Sequence, residues 1–390
     1  MTSVDIVQGV AALRKLYDVW GALFEKLGRR NHAQSYAWVL RVVTCLEDDP
    51  EAIYFAIIRR AGVLCGIIPL RYAPRRRGPF LIKQWELLWH PHSTISTALL
   101  TPEASASEIL DPLAAVLATT AGPGYDTLLL PVLAEDALAQ VGATVLPGLR
   151  VMVSRDGVSN LFRTARQGEA LAASSAHFRR NLARQRKKLD QLGKVEFRIA
   201  IGTDAARSAF DEFLRVEASG WKGADGKGSA IRLHPNITRF YSGLIDELRD
   251  NPQVWIATLL LDGRAIAANF CVRTDDTLAV LKIAYDEGLQ QVAPGNVLML
   301  RLIEACTEAP DISKLSLVTG PAWAERWAPM AIGIERITVF APTFRGRLFY
   351  LAAQVKRGMR MRHAEKWLGI TERGDQRTGR SLGPGIHPTE

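Results

Sequence analysis

Apolar residues recur at helical spacing from Val10 to Leu27, and Gly28 closes the run, which predicts an amphipathic helix with a glycine stop. A second helical segment follows over Tyr36 to Cys45. Two β-rich runs, Ile53 to Arg59 and Leu64 to Tyr72, meet through Ala61-Gly62 and predict a hairpin. A basic loop, Pro74 to Pro79, leads into a third strand over Phe80 to Trp89. A helix near Ala106 to Thr119 and a strand at Thr127 to Leu130 complete this first unit.

The second half repeats the plan. A long helix, Ala172 to Leu192, stops at Gly193, and a strand covers Val195 to Ile201. Helices are expected near Ala205 to Ala218 and Asn236 to Arg249. Three strands then run over Gln253 to Leu261, Ala265 to Arg273 and Thr277 to Tyr285, with Asp262-Gly263 as a strong hairpin signal between the first two. A helix from Pro294-Gly295 to Cys306 follows, then a strand at Lys314 to Val318, a short helix at Pro321 to Trp327 and a strand at Glu335 to Phe340. A basic helix, Arg345 to Leu368, and a Gly/Pro-rich tail close the chain. The halves share the order of their elements and no residue-level repeat. The reading is an α/β fold with mixed sheets, divided as 1–150, 151–342 and a basic C-terminal segment 343–390, with a linker near Gly148 to Gly157.

Composition narrows the classes. Of 390 residues, 48% are hydrophobic and 23% charged, which suits a globular protein and excludes a disordered one. No apolar run approaches the roughly 20 residues of a membrane helix, and the opening Met1-Thr2-Ser3-Val4-Asp5 lacks the basic start of a secretory signal. The widely spaced Cys45, Cys65, Cys271 and Cys306 read as reduced core residues of a cytoplasmic protein. The formal charge of +9 implies an acidic partner: CoA, a sugar nucleotide, a lipid-linked phosphate, RNA or anionic lipid.

The segment Thr277 to Cys306 carries most information. A strand enters a loop that ends Val292-Ala293-Pro294-Gly295-Asn296, and an apolar helix begins at once. Proline and glycine there turn the backbone sharply and leave the first helical N–H groups free, an arrangement that attracts phosphate. Those five residues are the candidate cofactor contact, the alternative being a plain helix start.

Taken together, Glu217-Ala218-Ser219-Gly220-Trp221-Lys222-Gly223, Leu281-Lys282-Ile283-Ala284-Tyr285-Asp286-Glu287 and Ala293-Pro294-Gly295-Asn296 resemble the GNAT family associated with bacterial cellulose and exopolysaccharide biosynthesis, the CelD type. His177 to Leu182 and Leu261 to Ala268 fit the same pattern, so the resemblance spans roughly 172–336. The chain is similar, more distantly, to Fem-type peptidyltransferases, which pair two GNAT units. The resemblance implies tandem GNAT folds, an acetyl-CoA or other acyl-CoA co-substrate, an amine acceptor and direct transfer without a covalent enzyme intermediate. One departure stands out: Gln290 to Gly295 keeps one glycine of the usual phosphate loop and adds a proline. Fem-type relatives use aminoacyl-tRNA, which leaves a second donor open, and a non-catalytic scaffold in a polysaccharide-synthesis complex is a third reading.

Amine acylation needs a proton acceptor, a polarised thioester oxygen and two reactants held in register. Asp286 ends the central strand and is either the base or a turn cap; Lys282, four residues earlier on the same face, binds a substrate anion, steadies the developing oxyanion or is a solvated strand lysine. Tyr285 is either a proton donor to the thiolate or core, and Glu217 is an alternative base. Trp221 and Lys222 offer an apolar wall and a charge for substrate, with core anchoring as the rival role of the tryptophan. Arg179 and Arg180 open a run of six cations in the ten residues to Lys188, which suits an anionic ligand or RNA. The run Arg345 to Arg362 alternates basic and apolar residues and suits an anionic membrane surface, another subunit or ordinary packing.

Other signals fail on spacing. Gly220 to Ser229 has five residues between Gly220 and Gly226 and a glycine, not Ser/Thr, directly after Lys227, so it is no P-loop. His90-Pro91-His92 lacks the further ligand that zinc needs. No Gly-x-Ser-x-Gly elbow supports a serine hydrolase.

Overall fold

The computed structural model describes residues 1–92, 97–103, 105–120, 124–134, 139, 149–166 and 168–367. In chain order the first unit comprises β1 (Thr2–Gln8), α1 (Gly9–Lys15), α2 (Tyr17–Glu25), α3 (Tyr36–Arg41), β2 (Ile53–Arg60), β3 (Val63–Tyr72), β4 (Arg75–Arg77), β5 (Phe80–Ile82), β6 (Gln84–Leu87), β7 (Leu99–Leu100), α4 (Ala106–Leu117) and β8 (Thr127–Leu133). Then come β9 (Arg150–Arg163), α5 (Ala176–Asp190), β10 (Val195–Ile201), α6 (Thr203–Ala218), α7 (Pro235–Glu247), β11 (Gln253–Leu261), β12 (Arg264–Thr274), β13 (Thr277–Tyr285), α8 (Pro294–Glu308), β14 (Lys314–Ser316), β15 (Met330–Phe340) and α9 (Phe344–Trp367).

Most expected elements stand within a few residues of their place, and four expectations change. The chain opens with a strand, β1, which sets Val4 into the core and pairs antiparallel with β2, some fifty residues away. The single helix expected over Val10 to Leu27 is two helices, broken at Leu16. The strand expected over Phe80 to Trp89 is split: β5 folds back on β4 as a separate basic hairpin, and only β6 joins the main sheet. The expected linker, from Arg150 onward, is the start of β9, a strand between β15 and β14. Gly148 and the closing Gly/Pro-rich tail lie outside the described residues.

Both halves build the same sheet pattern. In the first, β1, β2, β3 and β6 pair antiparallel, and β6 pairs parallel with β8 after the α4 crossover. In the second, β10, β11, β12 and β13 pair antiparallel, and β13 pairs parallel with β14 after α8. The halves then exchange strands. β9, which follows β8 in the chain, lies beside β14, whereas β15, which follows β14, lies beside β8. The two exchanged strands pair antiparallel with each other along their length. One continuous sheet results, with order β1-β2-β3-β6-β8-β15-β9-β14-β13-β12-β11-β10.

Three apolar clusters sit on this sheet. One packs α4 on the first unit, and one packs α5 and α8 on the second. The third is shared: Trp20, Trp38, Phe55 and Ile67 of the first unit meet Phe213, Phe240, Tyr241 and Phe270 of the second. The Trp38 and Phe240 rings meet edge to face at 5.2 Å. Ion pairs rim the contact, Arg30 with Asp275 at 3.0 Å and Arg41 with Glu247.

Because the sheet and this core are common to both units, denaturant unfolding is expected as one transition. Trp38→Ala should lower its free energy by about 3–5 kcal/mol while both halves still melt together. Two separated transitions, by tryptophan fluorescence and far-UV circular dichroism, would contradict a shared core.

Candidate active site

The parallel pair of β13 and β14 holds only over Thr277–Ala279 against Lys314–Ser316. Beyond it the strands part for separate reasons. β13 has a bulge: Phe270 pairs with Lys282 but Cys271 with Val280, so Leu281 is the extra residue and the strand bends there. On the other side the chain stays with β9 through Leu317 N–H to Asn160 O, 2.8 Å. It then makes a three-residue turn, Thr319 N–H to Leu317 O at 2.6 Å, around Val318 at φ +63°. A β-branched residue in the left-handed region is strained, and such strain persists where surrounding structure enforces it. A slot opens between Val280–Tyr285 and Leu317–Gly320.

At the far end of the slot stands the N-terminus of α8. Asp286 caps the short helical turn Glu287–Val292 by accepting from Gly288 N–H at 3.0 Å, and it faces Arg264 at 3.5 Å. The capping alternative is therefore the arrangement observed. Ala293 is left-handed (φ 46°) and Pro294 takes the first helical position. Asn296 and Val297 N–H both turn to the Ala293 carbonyl, at 2.9 and 3.2 Å. Val292 and Pro294 are buried, and Asn296 reaches Gln185 of α5 at 3.4 Å, so Gly295 is the open position of the five candidates. Tyr285 lies over it: a Cβ at Gly295 would meet the Tyr285 ring at 3.4 Å. The tyrosine is 38% exposed, not the core residue that strand packing suggested.

The opposite face of β13 carries a polar cluster. Glu217, buried at the end of α6, accepts from Lys222 Nζ (3.1 Å) and Ile231 N–H (2.9 Å), so both oxygens are engaged. Lys222 also donates to Ile283 O at 3.2 Å, which ties its loop to β13. Lys282 is mostly buried nearby. Burial first, then the Lys222 charge, lowers its pKa to about 8, with Glu217 opposing. His90 and His92 of the first unit reach this cluster. Their rings stack at 5.4 Å, and His92 Nδ1 meets the Tyr241 hydroxyl at 3.0 Å. Burial, then Lys282, pushes His92 down to about 3, so it is neutral at physiological pH.

Sequence reasoning weighed the two histidines only as metal ligands and missed them, with Tyr241, as hydrogen-bonding groups. Two imidazoles in a proline-bent loop were the available signal. Asn269 was missed as well: it is 3% exposed on the strand beside β13, and its amide nitrogen has no protein partner. Among the described residues no group of three or more His, Cys, Asp or Glu is placed to hold a metal.

The loop between Ser219 and Ala230 winds on itself. Lys227 N–H bonds Trp221 O at 2.7 Å and Ala230 N–H bonds Lys222 O at 2.8 Å. Its glycines are set by close approach: a Cβ at Gly226 would sit 2.1 Å from Trp221 O. These N–H groups point at the loop's own carbonyls, which agrees with rejecting a P-loop. Trp221 is 49% exposed at the tip, with Lys222 and Lys227 over its ring at 5.8 and 5.0 Å. It is open to a ligand rather than anchored in the core.

On α5, Arg179 donates to the Ser174 carbonyl and so secures the helix start, whereas Arg180 is exposed. Arg186 pairs with Glu304 of α8 at 3.5 Å. A cleft of about 980 Å³ lies on the shared-core side of the exchanged strands. Ser159, Arg163, Ala279 and Ser316 line it, under the 28–32 and 274–276 segments. It reaches the closed end of the slot at Ala279. His32 and Thr274, 2% and 3% exposed, line it with a polar atom free of protein partners.

Residues 176–327 match the family model described as an acetyltransferase (GNAT) domain. A search of curated protein sequences gives no match. Among solved structures, a conserved Bacteroides thetaiotaomicron protein of unknown function is similar at TM-score 0.54 and 14% identity, with 86% of this chain and 99% of that one covered. FemX is similar at TM-score 0.51 and 10% identity, over 89% and 99% of the two chains. The C-terminal domain of a putative lysylphosphatidylglycerol synthetase from Agrobacterium fabrum scores 0.50 at 13% identity, over 88% and 97%. At these identities the likeness shows the fold alone. The mixed α/β architecture is thus a GNAT fold in tandem, and the domain match indicates an acyltransferase.

The folded pKa of Lys282 lies below the ordinary 10.5. Between about pH 8 and 10.5 the unfolded chain holds a proton that the folded one lacks, so stability rises with pH through that window. Lys282→Met should raise stability at pH 7 by about 1–3 kcal/mol and flatten that rise, as read by denaturant midpoints across the range. His32, held neutral to about 3 by burial, acts at the acid end. There the unfolded chain takes up the proton first, so stability falls as pH drops from 6.5 toward 3. His32→Gln should shallow that acid limb; an unchanged limb would show that other groups set it.

Proposed function

We propose that the protein is an acyl-CoA-dependent N-acyltransferase whose working site is the slot between β13 and β14. The observation that carries this reading is the parting of those strands between a bulge at Leu281 and a strained turn at Val318, inside the segment that matches the acetyltransferase domain. An extended thioester arm fits such a slot, with its diphosphate at the Gly295 end of α8 and its reacting carbon near the bulge. The acceptor amine enters through the cleft at Ala279. An amino sugar or similar cell-surface polysaccharide intermediate as acceptor follows from the CelD-type resemblance, and a cytoplasmic setting from the reduced cysteines.

In this reading Lys282, partly deprotonated near pH 8, takes the proton from the attacking amine. Tyr285, exposed beside Gly295, donates to the departing thiolate. Glu217 and Lys222 position the Trp221 loop on β13, and Asp286 fixes the turn that leads into α8. Aminoacyl-tRNA is a second donor reading, favoured by the cationic outer face of α5, where Arg180, Arg184, Lys187 and Lys188 are exposed.

Calorimetric titration with acetyl-CoA and CoA tests the assignment. Micromolar binding is expected, lost in Gly295→Trp, whose side chain would fill the space under Tyr285. It should be retained in Lys282→Met, whose loss falls on turnover. Absence of binding to either CoA species would sink the acyl-CoA reading; tRNA binding that weakens steeply with salt would move the donor to aminoacyl-tRNA.

A further inference from the structure

The first turns of α9 turn an apolar stripe to solvent. Phe344, Leu348, Leu351 and Val355 are 82%, 51%, 60% and 62% exposed. Their spacing of four, three and four residues puts them on one helical face. The helix is not loosely attached. Gly346 is buried where a Cβ would meet Ala341 O at 2.2 Å, and Tyr350 packs on Phe340 with ring centres 5.3 Å apart. The exposed stripe is thus the face turned away from a fixed contact.

A second element extends the patch. Phe80 and Leu81, 56% and 46% exposed, sit on the β4–β5 hairpin. Arg345 bridges hairpin and helix by donating to Leu81 O at 2.6 Å and to Asp126. Arg76 on the hairpin and Arg347, Lys356 and Arg357 on the helix are exposed around the apolar residues. Neither Pro74–Lys83 nor Phe344–Arg357 contains an acidic residue.

We infer that this surface docks the protein on an anionic lipid bilayer. Apolar side chains enter the acyl boundary while the surrounding cations meet lipid phosphates. Charge selects this occupant over a second copy of the chain. A two-fold contact through the same patch would set the two cationic rims against each other, whereas anionic headgroups neutralise them. The docking would hold the enzyme beside lipid-linked acceptors and is independent of the donor assignment.

Vesicle sedimentation of the full chain tests it, with phosphatidylcholine vesicles and vesicles containing roughly one-third phosphatidylglycerol. The protein should sediment with the anionic vesicles, less so at high salt, and stay in solution with phosphatidylcholine alone. Leu348→Glu with Leu351→Glu should cut partitioning at least about tenfold. Phe80→Ser with Leu81→Ser should weaken it on the separate element. Circular dichroism should be unchanged in each, since these side chains face solvent. Equal sedimentation of wild type and both variants would overturn the proposal. So would a dimer in light scattering that the helix variant dissolves, without vesicle binding by the wild type.

Discussion

The exchange of β9 and β15 between the units is the constraint on which the rest depends. Each parallel pair needs a neighbour on its outer edge, and each receives the strand that follows the other pair in the chain. The exchanged strands also pair with each other, so neither unit can close its sheet alone. The interface is therefore made of backbone hydrogen bonds as well as apolar contact, and buried ladder bonds are costly to leave unmade. The shared core follows from this. Once the central strands are joined, the helical faces of both units point into one space, and Trp38, Phe240 and Phe270 fill it.

That joining explains how a residue from one half reaches the polar cluster of the other. His90 and His92 belong to the first unit, but the shared core brings them to Tyr241 and Lys282. Burial first, and the neighbouring lysine charge second, keep His92 neutral and take from Lys282 part of its preference for the charged form. The electrostatics are mutual: each cation makes the next less welcome, and Glu217 alone opposes the trend at Lys282. Glu217 is itself fully engaged, which is why the loop bearing Trp221 is well fixed while its tip remains exposed.

Legibility in the sequence tracked how local each signal was. β11 to β13 were read almost to the residue because β-branched runs and Asp262-Gly263 declare themselves over short windows. Lys282, Glu217 and Gly295 were legible as candidates for the same reason. β9 was not, because Gly157 and Arg155-Asp156 look like a linker and the strand is specified by partners beyond residue 313. β1 was hidden likewise by a distant partner. The break at Leu16 was invisible since apolar periodicity runs through it unchanged. The histidine cluster depended on the joining of the units, which no local pattern encodes.

The doubled pattern also gives the two units corresponding positions. By register, Gln84, Trp85 and Glu86 of β6 occupy the places of Thr277, Leu278 and Ala279 of β13. Where the second unit has the small Ala279 beside its cleft, the first has Glu86, 2% exposed. Its carboxylate takes Arg71 Nε at 2.7 Å, Arg75 at 3.2 Å and Gln84 at 3.0 Å, and Arg71 also binds Glu47. A buried ion cluster is costly to open, since removing one partner strands the others' charge. A ligand entering there would have to break it, whereas at Ala279 it meets a short side chain and an existing cleft. The same sheet position is thus closed by charge in the first unit and open in the second.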